Sequence, residues 1–218
     1  MERDKQGQTV LSELLPIFTD EPVQTSRLRL RPFRSSDLPD LYEYLSQKEQ
    51  QRLAGNVSVE SLDDAREVLD WFLAPAVPQI YLAIVLTDEN KVIGNFTLGS
   101  YPFLDSDPVL QALRGVSLSY VLNENYWRRG LMTELLRAVY PLLFGKGRLD
   151  YIQSGYFPFN LASAALQRKL GMHLWMNGSF EQDGQRIETR EMILFREEFF
   201  RSVEAVKEYV RSVEAVKE

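Results

Sequence analysis

A turn followed by a helix start carries the clearest chemistry in this sequence. Residues 125–134 read Asn-Tyr-Trp-Arg-Arg-Gly-Leu-Met-Thr-Glu and lie between a strand-like run and an apolar-periodic segment typical of a helix. The first amides of a helix have no partner within it and carry about half a positive charge, so they can bind an anion. Gly130 lets the backbone approach that anion closely. The segment predicts a phosphate site, with an ordinary turn as the alternative if it is taken alone.

A second helix start follows about thirty residues further along the chain. Asn160 and Ser163 open a predicted helix that ends at Gly171, a residue type favoured just after a helix. Asparagine and serine are both good N-caps, so an ordinary cap explains the pair when it is considered alone. Two such helix starts, each after a strand-like run, favour one shared site more than either does by itself.

Residue types limit the chemistry further. Arg128 and Arg129 stand beside the predicted phosphate site, so at least one of them is expected to bind phosphate. The chain has no cysteine, which excludes disulfides, thiolate–metal sites and a cysteine nucleophile. Because His173 is the only histidine, a histidine-rich metal site is excluded. His173 itself is expected to be a surface or packing residue. No metal is predicted.

Composition indicates a soluble globular protein. The 218 residues are 44% hydrophobic and 26% charged, and they can form one domain with a sizeable core. A formal charge of −6 argues against a general nucleic-acid binder, which needs a basic face. The longest apolar run, 80–86, is far too short to span a membrane, and the charged start of the chain does not resemble a secretory signal. A cytoplasmic protein is expected.

The chain divides into three predicted parts. Residues 1–23 form an N-terminal extension whose apolar cluster predicts a helical turn, and residues 24–196 form the main domain. Residues 197–218 form an amphipathic C-terminal helix in which the octapeptide 201–208 recurs unchanged at 211–218. The repeat is typical of a recent duplication, and a helix that binds a protein partner is the alternative.

Alternating and helical apolar spacings predict the elements of the main domain. The predicted strands are 27–31, 80–86, 92–98, 116–122, 151–157, 174–180 and 187–195, and the predicted helices are 37–45, 61–72, 133–144 and 163–170. Residues 99–111 are predicted to be an exposed loop. Pro141 predicts a kink or a stop near Tyr140, because proline lacks a donor and clashes with the preceding turn. Arg27, Arg29 and Arg31 are expected on a solvated strand face, with contact to an acidic substrate as the alternative.

This order of elements resembles the GNAT N-acetyltransferase superfamily, and within it the branch of the ribosomal-protein N-terminal acetyltransferases RimJ and RimL. Four segments carry the resemblance: 25–32, 92–96, 120–130 and 160–172. The match covers about residues 24–196. It implies an α/β fold with a central mixed, mostly antiparallel twisted sheet of six to seven strands and helices on both faces. It also implies acetyl-CoA as the cofactor.

The resemblance implies roles for particular residues. Ser163 would be the general acid that protonates the departing thiolate, and Asn160 would hold the pantetheine arm. Backbone amides near Val121 and Leu122 would stabilise the oxyanion. The implied cofactor-binding set is Val121, Leu122, Arg128, Arg129, Gly130, Leu131, Met132, Thr133, Asn160 and Ser163.

Two positions depart from the family pattern. Met132 stands where a small residue normally lets the pyrophosphate approach, so its side chain either turns away or narrows the site. Ser117 stands where this branch often has a glutamate suspected of base catalysis. The general base is therefore not assigned. Tyr156, Glu181 and Glu188 lie on segments that border the acceptor groove in the family, while Glu134 is expected to offset the helix dipole.

The sequence thus predicts an acetyl-CoA-dependent N-acetyltransferase, an acyltransferase of class EC 2.3.1. An amine attacks the thioester directly, so no enzyme nucleophile is needed. The acceptor is a protein N-terminal α-amine or a small-molecule amine. The alternatives are a catalytically silent acyl-CoA-binding or regulatory domain, favoured by Met132 and Ser117, and an interaction protein acting through its C-terminal helix. The oligomeric state is left open, with a homodimer as one option.

Overall fold

One mixed sheet forms the centre of the molecule. The structure, a computed structural model, describes residues 2–55, 58–74, 79–99, 107–182 and 184–204. Its strands are β1 (Val23–Gln24), β2 (Leu28–Pro32), β3 (Gln79–Leu86), β4 (Lys91–Gly99), β5 (Gly115–Leu122), β6 (Tyr151–Tyr156), β7 (His173–Gln182) and β8 (Gln185–Phe195). They are ordered β1-β2-β3-β4-β5-β6-β8-β7, and every neighbouring pair is antiparallel except β5 and β6. The predicted mixed, mostly antiparallel sheet is confirmed.

The sheet has eight strands where six to seven were predicted. The additional strand, β1, has two residues and pairs with the end of β2, Val23 with Leu30 and Gln24 with Arg29. Two residues are too few to show an alternating pattern, so the sequence did not indicate this strand. Because β1 includes Val23 and Gln24, it spans the predicted boundary between the extension and the main domain.

Helices cover both faces of the sheet, as predicted. They are α1 (Glu2–Thr19), α2 (Leu38–Leu45), α3 (Lys48–Ala54), α4 (Leu62–Leu73), α5 (Leu131–Phe144) and α6 (Leu161–Lys169). One apolar core joins α1 and α5 to one face of the sheet, and a second core joins α2 and α4 to the other. Strand β3 serves both cores because its side chains alternate: Leu82 and Ile84 lie in the first, Ala83 and Val85 in the second.

Several elements differ from the predictions. Residues 2–19 form a whole helix rather than one helical turn, and α3 was not predicted because its polar sequence lacks an apolar stripe. Helix α5 continues past Pro141 to Phe144, so the predicted stop near Tyr140 is wrong. Leu143 and Phe144 are fully buried, and their packing outweighs the single backbone hydrogen bond that proline removes.

The expected solvated arginine face is also corrected. Arg31 is buried, and its Nη1 and Nη2 donate to the two carboxylate oxygens of Asp37 at 2.7 and 2.8 Å. Arg27 reaches Glu134 at the start of α5. Both arginines therefore hold elements together within the molecule.

Strands β5 and β6 diverge after a short parallel contact. They pair only over Gly115–Ser117 and Tyr151–Gln153, while β5 continues to Leu122 along β4 and β6 continues to Tyr156 along β8. The second halves of the two strands therefore border an opening in the middle of the sheet. Helices α5 and α6, which follow these strands, both begin at this opening.

Parts of the sequence predictions lie beyond these residues. Residues 100–106 of the predicted loop and residues 205–218, including the second octapeptide, are outside the described ranges. Residues 196–204 are helical. Within the described ranges, every helix is too short or too polar to cross a bilayer.

Candidate active site

A cavity of about 950 Å³ occupies the opening between β5 and β6. All ten cofactor-binding residues implied by the sequence lie on its wall, which brings together the end of β5, the start of α5 and the start of α6. These segments are up to about forty residues apart in sequence, and the divergence of β5 from β6 creates the space between them.

The backbone before α5 exposes the first amides of that helix. Gly130 is the N-cap residue with φ +75°, and Arg128 is also in the left-handed region with φ +60°. The amide of Glu134 donates to the Gly130 carbonyl at 3.0 Å, so the amides of Leu131, Met132 and Thr133 precede the first hydrogen bond of the helix. These three residues line the cavity, and a helix start of this kind is able to bind a phosphate.

Glu134 fixes this helix start to the turn before β2. Its carboxylate accepts from Thr25 Oγ1 at 2.6 Å and from Arg27 Nε at 2.7 Å. Burial alone raises the pKa of Glu134, but the hydrogen bonds from Thr25, Arg27 and Ser26 outweigh it and lower that pKa to about 2. Arg27 also donates from Nη1 to the carbonyl of Arg129 at 3.1 Å. The carboxylate therefore positions the loop as well as offsetting the helix dipole.

The charged side chains on the cavity wall are all positive among the described residues. They are Arg128, Arg129 and Lys169. Arg129 donates to the carbonyl of Asn125 at 2.6 Å and lies over the ring of Tyr126, whereas the exposed side chain of Arg128 is beside the helix start. In a chain with a formal charge of −6, this local positive charge suits a phosphorylated ligand.

Met132 lies at the junction of the cavity and the main core. It is 8% exposed and belongs to the apolar cluster that contains α5 and the sheet. A methionine packed into the core leaves the backbone amides at the helix start accessible.

The end of β5 has no neighbouring strand among the described residues on the side that faces the cavity. The amide of Asn123 donates to the Ile93 carbonyl on β4 at 2.8 Å. Successive amides of a strand point to opposite edges, so the amide of Leu122 faces the opening and that of Val121 faces β4. Trp127 Nε1 donates to the carbonyl of Leu122 at 2.7 Å and holds the next turn against this edge.

The predicted general acid, Ser163, forms hydrogen bonds with two other polar side chains. The hydroxyls of Ser163 and Tyr120 are 3.0 Å apart, and Gln167 Nε2 donates to Ser163 Oγ at 3.0 Å and to the Tyr120 oxygen at 3.4 Å. Burial raises the pKa of the Tyr120 phenol, although the hydrogen bonds to Ser163 and Gln167 counteract it in part. The phenol therefore stays protonated at neutral pH.

Sequence reasoning named Ser163 but missed its two partners. Gln167 lies four residues after Ser163 in α6, and that helical spacing places both on one face, so this signal was present in the sequence. Tyr120 could not be found in the same way, because it reaches Ser163 only through the divergence of β5 and β6.

Asn160 acts as the N-cap of α6. Its Oδ1 accepts from the Ser163 amide at 3.0 Å, and its Nδ2 donates to the Leu53 carbonyl at 3.0 Å. The cap that sequence reasoning held as the alternative is thus present. An amide oxygen has two lone pairs and an amide nitrogen has two protons, so Asn160 retains capacity for a ligand.

The wall opposite the cofactor-binding residues is apolar and aromatic. Helix α4 and strand β3 contribute Trp71, Phe72 and Tyr81, whose rings are in mutual contact, with 4.3 Å between the centroids of Phe72 and Tyr81. None of the described residues that line the cavity is an aspartate, glutamate or histidine.

The residues considered for base catalysis are divided by the structure. Tyr156 lines the cavity, whereas Glu134, Glu181 and Glu188 are outside its lining. Ser117 lines the cavity on β5, and the described lining around it contains no carboxylate. His173 is 44% exposed at its side chain and lies 3.6 Å from Glu198, away from the cavity lining.

Comparison with known proteins agrees with this fold. A family model described as "Acetyltransferase (GNAT) domain" matches residues 27–173. The chain therefore belongs to the GNAT acetyltransferase family. Enzymes of this family generally use acetyl-CoA as co-substrate.

Three relatives illustrate the similarity. "Probable N-acetyltransferase YjcK" of Bacillus subtilis (strain 168) is 30% identical over 90 residues, which are 39% of this chain and 50% of that protein, so the match spans half of the relative. The crystal structure of a GNAT-family acetyltransferase from Bacillus anthracis has a TM-score of 0.65 at 19% identity, over 81% of this chain and 99% of that chain. RimL, the ribosomal L7/L12 α-N-protein acetyltransferase, has a TM-score of 0.63 at 17% identity, over 80% and 94% of the two chains. These structures share the fold of this chain.

Proposed function

We propose that this chain transfers the acetyl group of acetyl-CoA to an amine, either a protein N-terminal α-amine or the amine of a small molecule. The observation that carries the proposal is the wall of the cavity. It combines the free amides at the start of α5 with the Ser163–Tyr120 pair at the start of α6.

The positive end of the cavity supports the cofactor part of the proposal. The amides of residues 131–133 and the side chains of Arg128 and Arg129 would hold the phosphates of acetyl-CoA. Asn160 would bind the pantetheine arm with the hydrogen-bonding capacity that remains after capping α6. The amide of Leu122 is directed at the opening, where it would stabilise the oxyanion that forms when the amine attacks the thioester carbonyl.

Ser163 and Tyr120 would act on the leaving group. Gln167 donates to both oxygens, so each hydroxyl proton remains for other acceptors. Only one of these two protons can lie in the bond between the hydroxyls, and the other is available to the departing thiolate. The proton that the thiolate finally gains equals the one that the acceptor amine loses, so the reaction requires no net proton source.

An α-amine would need little help to lose its proton. Its unperturbed pKa is about 8, compared with about 10.4 for a lysine side chain, so a larger fraction of it is neutral at physiological pH. A cavity wall without a described carboxylate or histidine supports an acceptor of this kind, which includes the α-amine of a protein and that of a small molecule.

The same wall supports the second candidate, a silent acyl-CoA-binding domain. Without a base, the cavity would bind the cofactor through the same amides and arginines and transfer nothing. The two functions differ in turnover, and both predict that the cofactor binds.

Calorimetric titration of acetyl-CoA into the protein tests the shared part of both functions. We expect binding in the micromolar range, about 8 kcal/mol, and weaker binding by the Asn160→Ala, Ser163→Ala double variant. The matched control is Ser58→Ala, an exposed serine outside the cavity lining, which should bind like the unaltered protein.

Thiol release in the presence of amines then separates the two functions. Because the chain has no cysteine, a thiol reagent would report coenzyme A without background from the protein. Release that depends on an added peptide or small amine supports the transferase. Tight binding with no release for any amine supports the silent domain, and no binding at all would refute both.

A further inference from the structure

Gln50 is a buried side chain whose hydrogen-bonding groups have no partner. It lies on α3, is 2% exposed and belongs to the lining of the cavity. Neither its Oε1 nor its Nε2 has a hydrogen-bond partner within the described part of the chain. An amide buried in this way is costly to a folded protein unless something supplies the missing bonds, so such a group in a cavity wall indicates a ligand.

The backbone around Gln50 is held in place. Its own amide donates to Glu124 Oε1 at 2.9 Å, which ties α3 to the turn after β5. The next residue, Gln51, donates from Nε2 to the carbonyl of Leu45 at 2.6 Å. Gln50 is therefore fixed by its main chain and by its neighbour, while its side-chain amide takes no part in holding the fold.

The surroundings of Gln50 narrow the chemistry of the ligand. Leu45 and Val59, whose carbonyls bind the neighbouring Gln51, also line the cavity. They belong to one apolar cluster with Val68, Phe72 and Tyr81, which line the cavity together with Trp71. Trp71 is 51% exposed although it is a large aromatic residue. The described lining contains no carboxylate that could pair with the second charge of a diamine or polyamine. An uncharged amide next to an apolar group fits this wall.

We infer that Gln50 is a specificity-determining residue that binds an amide group of the acceptor, so that the preferred acceptor is an amine with an adjacent carboxamide or peptide bond and an apolar side chain. The Gln50 Nε2 donates to the acceptor's carbonyl oxygen, and its Oε1 accepts from the acceptor's amide N–H. The apolar side chain of the acceptor lies against the aromatic surface. This inference rests on the proposed transfer to an amine and adds the class of acceptor.

The test compares two acceptors that differ in one bond. Leucinamide carries the amide, and leucine methyl ester has the same side chain and carbonyl but no amide N–H. We expect the unaltered protein to favour leucinamide by roughly tenfold or more in kcat/KM, since each lost hydrogen bond leaves a buried group unpaired. In Gln50→Met, which keeps the length and removes the amide, the ratio should fall to within about threefold of unity. Gln24→Met, an exposed glutamine on β1, should keep the full preference.

Several results would overturn the inference. One is equal use of the two acceptors by the unaltered protein, a result that does not depend on whether the variant folds. Others are retention of the preference in Gln50→Met, or spermidine being a better acceptor than leucinamide.

Acetyl-CoA also contains amide groups, in its pantetheine arm. A Gln50→Met variant with weaker acetyl-CoA binding by calorimetry and an unchanged acceptor preference would assign Gln50 to that arm and refute the inference. Acetyl-CoA binding without acetylation of either leucine derivative would refute it as well. Failure of the proposed function is a different result, in which acetyl-CoA does not bind or no amine of any class, spermidine included, is acetylated; calorimetry and thiol release with the other amines separate the two cases.

Discussion

Tyr120 and Ser163 form the pair of hydroxyls on which thiolate departure would depend. Their oxygens are 3.0 Å apart, and both receive a hydrogen bond from the fully buried Gln167. Burial raises the pKa of Tyr120, so the phenol keeps its proton at neutral pH. A phenol that donates to Ser163 would leave the Ser163 proton free for the departing thiolate and would stabilise the negative charge that develops there.

Tyr120→Phe removes this donor and keeps the ring. We expect kcat to fall about tenfold or more, with little change in the dissociation constant of acetyl-CoA, because the charge on sulfur develops only during the reaction. Steady-state kinetics and calorimetry on the same protein separate the two quantities.

The pH profile provides a second measurement for Tyr120. Since the raised pKa keeps the phenol protonated, activity should rise as an α-amine acceptor loses its proton near pH 8 and should not decline until about pH 10 or above. Tyr42→Phe is the matched control, because that hydroxyl donates to the Glu60 carbonyl outside the cavity lining. An equal loss of kcat in both variants would refute a role for Tyr120.

At the scale of elements, Glu134 connects the start of α5 with the turn before β2. The pKa of Glu134 is about 2 in the folded protein and 4.5 for an ordinary glutamate, so ionisation of this carboxyl stabilises the folded state above pH 4.5 and the contribution is lost as pH falls toward 2. The shift corresponds to at most about 3 kcal/mol. The real contribution is smaller because the Arg27 side chain is 43% exposed and screened by water.

Glu134→Gln should therefore lower the free energy of unfolding by about 1 to 3 kcal/mol at pH 7. About half of the difference from the unaltered protein should disappear near pH 3, because Glu134 is then protonated in the unfolded chain but still largely ionised in the folded one, and this protonation lowers the free energy of the unfolded state. Urea denaturation at a series of pH values measures it. Glu49→Gln is the control, because Glu49 pairs with Arg52 on the exposed side of α3. A difference that does not change with pH would contradict the electrostatic account.

The elements show why part of this structure could be predicted from sequence. Helices α2 and α4 and strand β3 carry regular apolar spacings, which follow directly from facing one of the two cores. Helix α3 has no such stripe, because it is held by polar contacts such as that between Gln50 and Glu124. Its position, and with it the unpaired amide of Gln50, depends on tertiary contacts that local spacing does not contain.

The candidate site likewise contains residues that the sequence could predict and residues that it could not. Gly130, Asn160 and Ser163 were found because a helix start has a local signature. The partner Gln167 had a local signal in its i+4 spacing from Ser163. The contact with Tyr120 depends on how far β5 and β6 diverge, and no residue type specifies that distance. Of the two outcomes that Pro141 predicted, the stop is wrong, because the burial of the last turn of α5 outweighs the local preference of proline.

At the scale of the whole molecule, α1 belongs to the main core. Leu14 and Phe18 are fully buried, and Phe18 has its ring centroid 6.5 Å from that of Phe96 on β4. The same apolar cluster includes Leu131 and Met132 at the start of α5. Helix α1 therefore packs in the same core as the helix start that borders the cavity. Residues 1–23 were predicted as an extension, yet removal of their buried side chains should affect the entire fold.

Phe18→Ala is expected to lower the free energy of unfolding by about 3 to 5 kcal/mol, because it leaves a cavity inside a continuous core. Leu15→Ala on the same helix is the matched control: Leu15 is 42% exposed, so its replacement should change stability by no more than about 0.5 kcal/mol. Chemical denaturation followed by both far-ultraviolet circular dichroism and tryptophan fluorescence measures each variant. If α1 is part of one cooperative unit, the two signals will change together in Phe18→Ala at a lower denaturant concentration. Equal stability of the two variants would instead mean that α1 unfolds separately and that the acetyltransferase fold is complete without it.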